Sequence, residues 1–427
     1  MRWAGCLLAI ALLGVPQELE AQSCLLNITA PTKRSVGVPD TDGAYTTYLG
    51  GGTVRLHCGD AIMTGDSAVH YETEGRAEMI GGVSYADTTR TLLANHLTYF
   101  EDDGHVVADG EVHLVRRSSG ATLDGPRASF YREGPGQNRS VATGRPRMTM
   151  PPAEAGGEPV VIDSDTAELL GDNEAVSNGN VVISRSDFDA TADSAWFSPG
   201  EGRLFGTPVV TSRGFSLSGD SVRTTFSDDD LDSLYAQGNA QALADDLRLQ
   251  AGEILIKAGP EDVESAWAYG DDRSIGATGR FVIVGDSIEF VFAAGEIDSV
   301  VAVGTARAFQ MRDVLPAETD LEEPEADIGT GADWIAGDSI RGWFEPDEGA
   351  DEESPGRQMR RLLAQGSARA LFSGVRDSTT NVGRSRNYIR GSVIDILFVG
   401  GEADLVSAEQ AIGVYVEPEQ SSPGGNQ

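Results

Sequence analysis

One phrase recurs along this chain. Its cleanest form is Gly285-Asp286-Ser287-Ile288-Glu289-Phe290, and it returns as Gly65-Asp66-Ser67-Ala68, Gly219-Asp220-Ser221-Val222 and Gly337-Asp338-Ser339-Ile340. Ala192-Asp193-Ser194-Ala195 carries one substitution, and degenerate copies lie near Asn95, Asp124, Asp165, Gly252 and Ser392. A second phrase alternates with it, in which small residues and a Gly precede alternating apolar and polar residues. Examples are Val176-Ser177-Asn178-Gly179-Asn180-Val181 and Tyr235-Ala236-Gln237-Gly238-Asn239-Ala240. Such self-similarity constrains the fold more than composition does, because each unit must bury its apolar face on its neighbours. Most steps between copies are 27 to 34 residues. That is room for two strands of about ten residues and two turns, so the chain should hold roughly twenty strands.

The expected fold is all-β and antiparallel: an elongated, twisted, taco-like β-jelly roll of about ten two-strand repeats. Val54-Arg55-Leu56-His57-Cys58 alternates as a half-buried strand does. The Gly of the second phrase falls in mid-strand, where a bend would carry the strand from one sheet to the other. A lead segment covers 22–48 and the repeats run over 49–311. Residues 134–159 loosen the pattern, with Gly134-Pro135-Gly136 and Pro151-Pro152, and read as a surface excursion. An acidic loop (312–332) follows, then β-repeats continuing the same stack (333–416) and a polar tail (417–427). A second acidic run spans 345–358.

Residues 1–21 read as a secretory signal peptide: Arg2, an uncharged apolar run from Trp3 to Val15, and Leu19-Glu20-Ala21 as cleavage site. The expected location is therefore an exported compartment, which the resemblance given below implies to be the periplasm. Removal of the leader takes Cys6 with it, leaving Cys24 and Cys58 as a candidate disulfide or as two separate thiols. The net charge of −35 argues against nucleic acid, whose phosphates would be repelled, and against docking on anionic lipid by charge alone.

No catalytic constellation emerges, and no enzyme activity, cofactor or metal is expected. A serine nucleophile is needed once, with a base beside it. Here the phrase repeats, and His57, His70, His96, His105 and His113 all precede residue 114. None of the five shows short metal-ligand spacing. The phrase instead reads as a turn or strand-start device. The recurrent aromatic and apolar residues either close a core or line an apolar groove between sheets. The candidates are Val69, Tyr71, Tyr99, Phe130, Phe197, Phe226, Phe290, Phe292 and Phe344.

Three stretches, Val54 to Tyr71, Val107 to Phe130 and Asn178 to Phe197, alternate Gly-Asn-Val-type with Gly-Asp-Ser-Ala-type strands. The pattern resembles the organic-solvent-tolerance A-like (OstA/LptA-like) family of periplasmic lipopolysaccharide transport proteins. The resemblance implies an apolar groove that shields lipid A acyl chains, lined by the candidates above. It implies lipopolysaccharide or a similar amphiphile as ligand, and edge-to-edge β pairing with itself or with other transport components. This chain departs from that pattern in its number of repeats, its acidity and its two acidic insertions. The alternative is a structural or adhesive exported β-repeat protein with a closed core.

Overall fold

The computed structural model describes residues 26–132, 137–152, 157–227, 230–259, 261–311, 321–324, 332–346, 357–373 and 386–416. The expected leader, Cys24, most of both acidic runs and the polar tail lie outside them. Among the described residues there are 32 strand segments, one short 3-10 turn (Glu72–Glu74) and no α-helix. Every pairing with a defined register is antiparallel. The fold is all-β and β-jelly-roll-like. Many segments are halves of one bent strand, such as Ala61–Gly65 with Ser67–Tyr71 and Phe281–Gly285 with Ser287–Ala293. Joined across their bends, they trace roughly twenty long strands, each at the usual strand rise.

Two compact units divide the chain: 1–114 with 126–141, and 115–125 with 142–427. Within each, a strand pairs with its neighbours in sequence. In the first unit, Arg76–Ala86 pairs its first half with Ser67–Tyr71 and its second half with Ala61–Gly65. In the second, Asp230–Leu243 treats Ser221–Ser227 and Phe215–Ser218 in the same way.

The bend is where the two phrases meet. In mid-strand two successive residues take left-handed backbone: Gly238 (φ 75°) and Asn239 (φ 47°), and likewise Gly179-Asn180, Gly304-Thr305 and Gly366-Ser367. The ladder skips these two residues each time. The Asp of the other phrase sits opposite. Its backbone N–H donates to the bent strand: Asp66 to Gly81 O (2.9 Å), Asp165 to Gly179 O (2.8 Å) and Asp220 to Gly238 O (2.8 Å). Its carboxylate covers the glycine so closely that a Cβ on Gly81 would lie 2.6 Å from an Asp66 oxygen. Gly179, Gly206, Gly238, Gly304 and Gly366 are covered in the same way. The following Asn donates back to the carboxylate, Asn180 Nδ2 to Asp165 (2.7 Å) and Asn239 Nδ2 to Asp220 (3.2 Å). Where Thr305 replaces Asn, Arg273 bonds Asp286 (3.1 Å), Gly304 O (3.0 Å) and Thr305 Oγ1 (2.6 Å).

Skipping two residues preserves the strand's alternation through the corner, because side chains repeat every second residue. Ala77 and Met79 before the corner, and Val83 and Tyr85 after it, are therefore all buried. The two arms of the bent sheet face each other across an apolar interior. In the first unit this interior includes Leu56, Met63, Leu92 and Leu97. In the second it includes Leu217, Ile254, Phe290 and Phe309.

The excursion expected over 134–159 contains a further bent strand, Arg139–Thr143 with Arg147–Met150, turning at Gly144 (φ 85°) and Arg145 (φ 64°). Its corner lacks the Gly-Asn spelling, which is why the repeat is hard to see there. Short strands also occupy the lead segment, at Asn27–Thr29 and Thr32–Gly37, and Tyr45–Gly50 runs from it into the first repeat.

Gly238→Ala should cost about 1–3 kcal/mol, since it combines unfavourable backbone with a clash against Asp220. Gly214→Ala, at a similar φ (78°) but with nothing within 4 Å, should cost less. Urea denaturation of the two variants measures the difference. Equal losses would mean that the carboxylate does not set the corner.

Candidate functional site

The corner joins the arms along one side. On the other side the strand tips of the two arms meet, and here side chains rather than ladder hydrogen bonds close the sandwich. Cross-arm aromatic pairs do much of this. Tyr85 meets Phe130 at 5.0 Å between ring centroids in the first unit. In the second, Phe188 meets Phe226 (5.7 Å), Phe215 meets Phe292 (5.4 Å) and Phe281 meets Phe398 (5.6 Å). Bulges at the tips shift the register at Thr225/Phe226, Val291/Phe292, Trp343/Phe344 and Leu397/Phe398. A bulge re-aims the side chain it carries, and these four rings turn toward the interior.

Arginines reach across the same mouth. Tip carbonyls are left over when a ladder ends, and a guanidinium satisfies them with charge-assisted hydrogen bonds. In the first unit, Arg132 donates to Cys58 O (2.8 Å), and Arg90 to Ser140 Oγ (3.3 Å) and to Gln137 O. In the second, Arg116 donates to Leu169 O (3.2 Å), Arg213 to Gly259 O and Arg280 to Gly401 O (2.9 Å). Burial pulls the Arg90 pKa down, and the Asp87 carboxylate opposes that pull. Burial, then the charge of Asp87, pushes the Tyr85 phenol far above its ordinary value. It therefore stays a donor, to Asp87 Oδ2 at 2.6 Å.

The groove candidates fall into three places. Tyr99, Phe130, Phe197, Phe290 and Phe344 are buried in the interior. Phe226 and Phe292 are half-buried at the mouth. Val69 and Tyr71 alternate with the buried Ala68 and so lie on the opposite face of their strand, where Arg76 sits 4.0 Å above the Tyr71 ring. Residue reading missed the facing partners Phe188, Phe215, Phe281 and Phe398, and all of the arginines. A signal for them existed: at three tips Arg precedes Phe by one to three residues, in Arg185-Ser186-Asp187-Phe188, Arg213-Gly214-Phe215 and Arg280-Phe281.

Cys58 is disulfide-bonded, and its expected partner Cys24 lies outside the described residues. Two of the five histidines have defined partners. His70 bonds Glu101 (2.7 Å), and His105 stacks between Phe100 (5.7 Å) and Tyr131 (4.5 Å). The described part of the acidic loop is also held. Leu321 packs on the cluster of Val282, Val284, Phe309, Trp334 and Leu371, while Glu323 pairs with Arg307 (2.6 Å) and Arg273 (3.7 Å).

Each unit also presents strands that, among the described residues, pair on one side only. Thr32–Gly37 pairs with Tyr45–Gly50, and every one of its residues is exposed, Lys33 and Arg34 among them. At the far end of the second unit, Glu402–Glu409 and Ile412–Val416 both pair with Arg386–Val399. Ile412 is 74% exposed and Val414 56%.

No family model and no curated protein matches this chain. Among solved structures there is similarity to LptH from Pseudomonas aeruginosa, described as the LptA homologous periplasmic component of the conserved lipopolysaccharide transport device. The identity is 13%, over 42% of this chain and 82% of that one, with a TM-score of 0.14. A superposition that loose carries no argument.

Phe281 and Phe398 should couple by about 0.5–1.5 kcal/mol in a double-mutant cycle to Leu, read by urea denaturation. Additive losses would mean that the mouth is not held by cross-arm ring contacts.

Proposed function

We propose that the chain is an exported carrier that shields the acyl chains of lipopolysaccharide, or of a similar amphiphile, between the two arms of its bent sheet. One observation carries this reading: among the described residues the arms are joined by backbone along the corner only, and the mouth is closed by side chains. An acyl chain entering there breaks no ladder hydrogen bond, whereas entering a closed barrel would. It exchanges apolar ring contacts for apolar chain contacts. Ten buried methylenes bring roughly 8 kcal/mol of transfer free energy, against about 0.5–1.5 kcal/mol for one aromatic pair. With a net charge of −35, anionic head groups would stay outside, bridged by divalent ions.

The unpaired edges support transfer along a row of subunits, since an open edge templates another strand. The exposed basic strand Thr32–Gly37 and the acidic strand Glu402–Glu409 are suited to meet in successive copies or in other transport components. A second reading has its own observation. Leu217, Ile254 and Phe290 are fully buried, as the closed core of a structural β-repeat protein would be.

Mass spectrometry of lipid co-purifying with the protein from a diderm host separates the two. Lipopolysaccharide near one per chain supports the carrier; lipid-free protein that ignores added lipopolysaccharide supports the structural reading. A disulfide placed across the mouth, Phe215→Cys with Phe292→Cys, should block lipopolysaccharide uptake until it is reduced. Uptake by the oxidised protein would refute entry at the mouth. Val414→Pro, on an edge strand, should lower self-association in sedimentation without lowering the melting temperature by more than a few degrees. Unchanged self-association would count against that edge.

A further inference from the structure

One stretch of the mouth in the second unit is not closed. A cavity of about 400 Å³ opens there between the tips, within the range of small-molecule sites. Phe197 and Phe226, with Pro151 and Pro152, form its apolar wall, and Arg185 its charged end.

Arg185 differs from the other mouth arginines. Arg116, Arg213 and Arg280 each donate to a carbonyl of the opposite arm. Arg185 stands at an equivalent tip, and its side chain is only 8% exposed. Its Nε lies 2.8 Å from Asp187 Oδ1, close but out of line for a hydrogen bond, so charge holds the pair. Its guanidinium stacks over Phe226 at 4.8 Å. Among the described residues nothing accepts a hydrogen bond from its two terminal nitrogens, and the residue borders the cavity. Its Nε is buried without a hydrogen-bond partner, and its terminal nitrogens border the cavity, where a bound acceptor would complete the group. The planar fork matches a carboxylate.

The wall's charge is also unusual for this chain. There are 67 acidic residues against 32 basic ones, yet no acidic side chain among the described residues lines the cavity. Its other polar groups are Ser118, Ser119, Asn173 and Ser198, all able to donate. Asp187 steers the guanidinium from outside the wall and accepts the Leu231 N–H (3.3 Å) from the other arm. We infer that this cavity is a binding site for a single-chain amphiphile with a carboxylate head, a medium-chain fatty acid, its head on Arg185 and its chain between Phe197 and Phe226. The inference does not rest on the carrier reading, since lipopolysaccharide uptake and fatty-acid binding are measured separately.

The test is calorimetric titration of the full chain with decanoate and, as the neutral counterpart, decanol. The expected result is one decanoate per chain, with affinity at least tenfold lower in Arg185→Gln and at least tenfold lower for decanol. Removing Arg185 leaves Asp187 unpaired and could unfold the tip. Ser118→Trp is therefore the companion variant, since it fills the cavity and leaves the pair intact; it should abolish binding at an unchanged melting temperature. Decanoate affinity preserved in Ser118→Trp, decanol binding as tightly as decanoate, or no decanoate binding by the unaltered protein would each overturn the inference.

Discussion

The contact between an aspartate carboxylate and a left-handed glycine on the next strand is what the rest of this structure depends on. It fixes where the paired strands bend: two residues leave the ladder on the glycine strand and one on the aspartate strand. On the glycine strand the alternation carries straight through the corner; on the aspartate strand it shifts by one, from Ala190 to Ala195 and Phe197, so both arms of both strands present apolar faces to the same interior. The Asn after the glycine completes the bracket by donating to that carboxylate. The Gly-Asp-Ser and Gly-Asn phrases are thus two halves of one joint, repeated down the chain.

The mouth is held by a different chemistry, and the composition reflects it. Of the 32 basic residues only Lys33 and Lys257 are lysines. A lysine offers a compact, strongly hydrated charge, whereas arginine lies flat on a ring while its fork bonds a carbonyl. Arg90 does both, lying 4.4 Å over Phe130 while it donates across the mouth. Largely buried carboxylates supply counter-charges at the same tips, Asp87 for Arg90 and Asp187 for Arg185.

Much of the fold was legible because the repeat encodes it twice, in period and in spelling. The strand count and the mid-strand bend at the second-phrase glycine follow from residues alone. The joining of the phrases did not, because Asp220 and Gly238 are local signals whose pairing exists only once strands are side by side. The strand at Arg139–Thr143 was obscured because Gly144-Arg145 replaces the usual corner spelling. The site was less legible. Phe290 and Phe226 look alike in sequence, yet one is fully buried and the other half-exposed, a distinction set by the bulge before Phe226. The cross-mouth arginines reach partners 46 to 121 residues away, as from Arg213 to Gly259 and Arg280 to Gly401, and no local pattern marks such a distance.

Pairing each strand with its neighbours in sequence has a kinetic consequence. Within a unit no strand must wait for a distant partner, so the loop-closure cost that slows most all-β proteins is small at every step. A chain emerging N-terminus first can add one bent strand at a time to a growing template, each sealed by its Asp–Gly joint. Folding then proceeds as a zipper with a direction, and a joint that fails in mid-chain divides the unit into two blocks that melt independently.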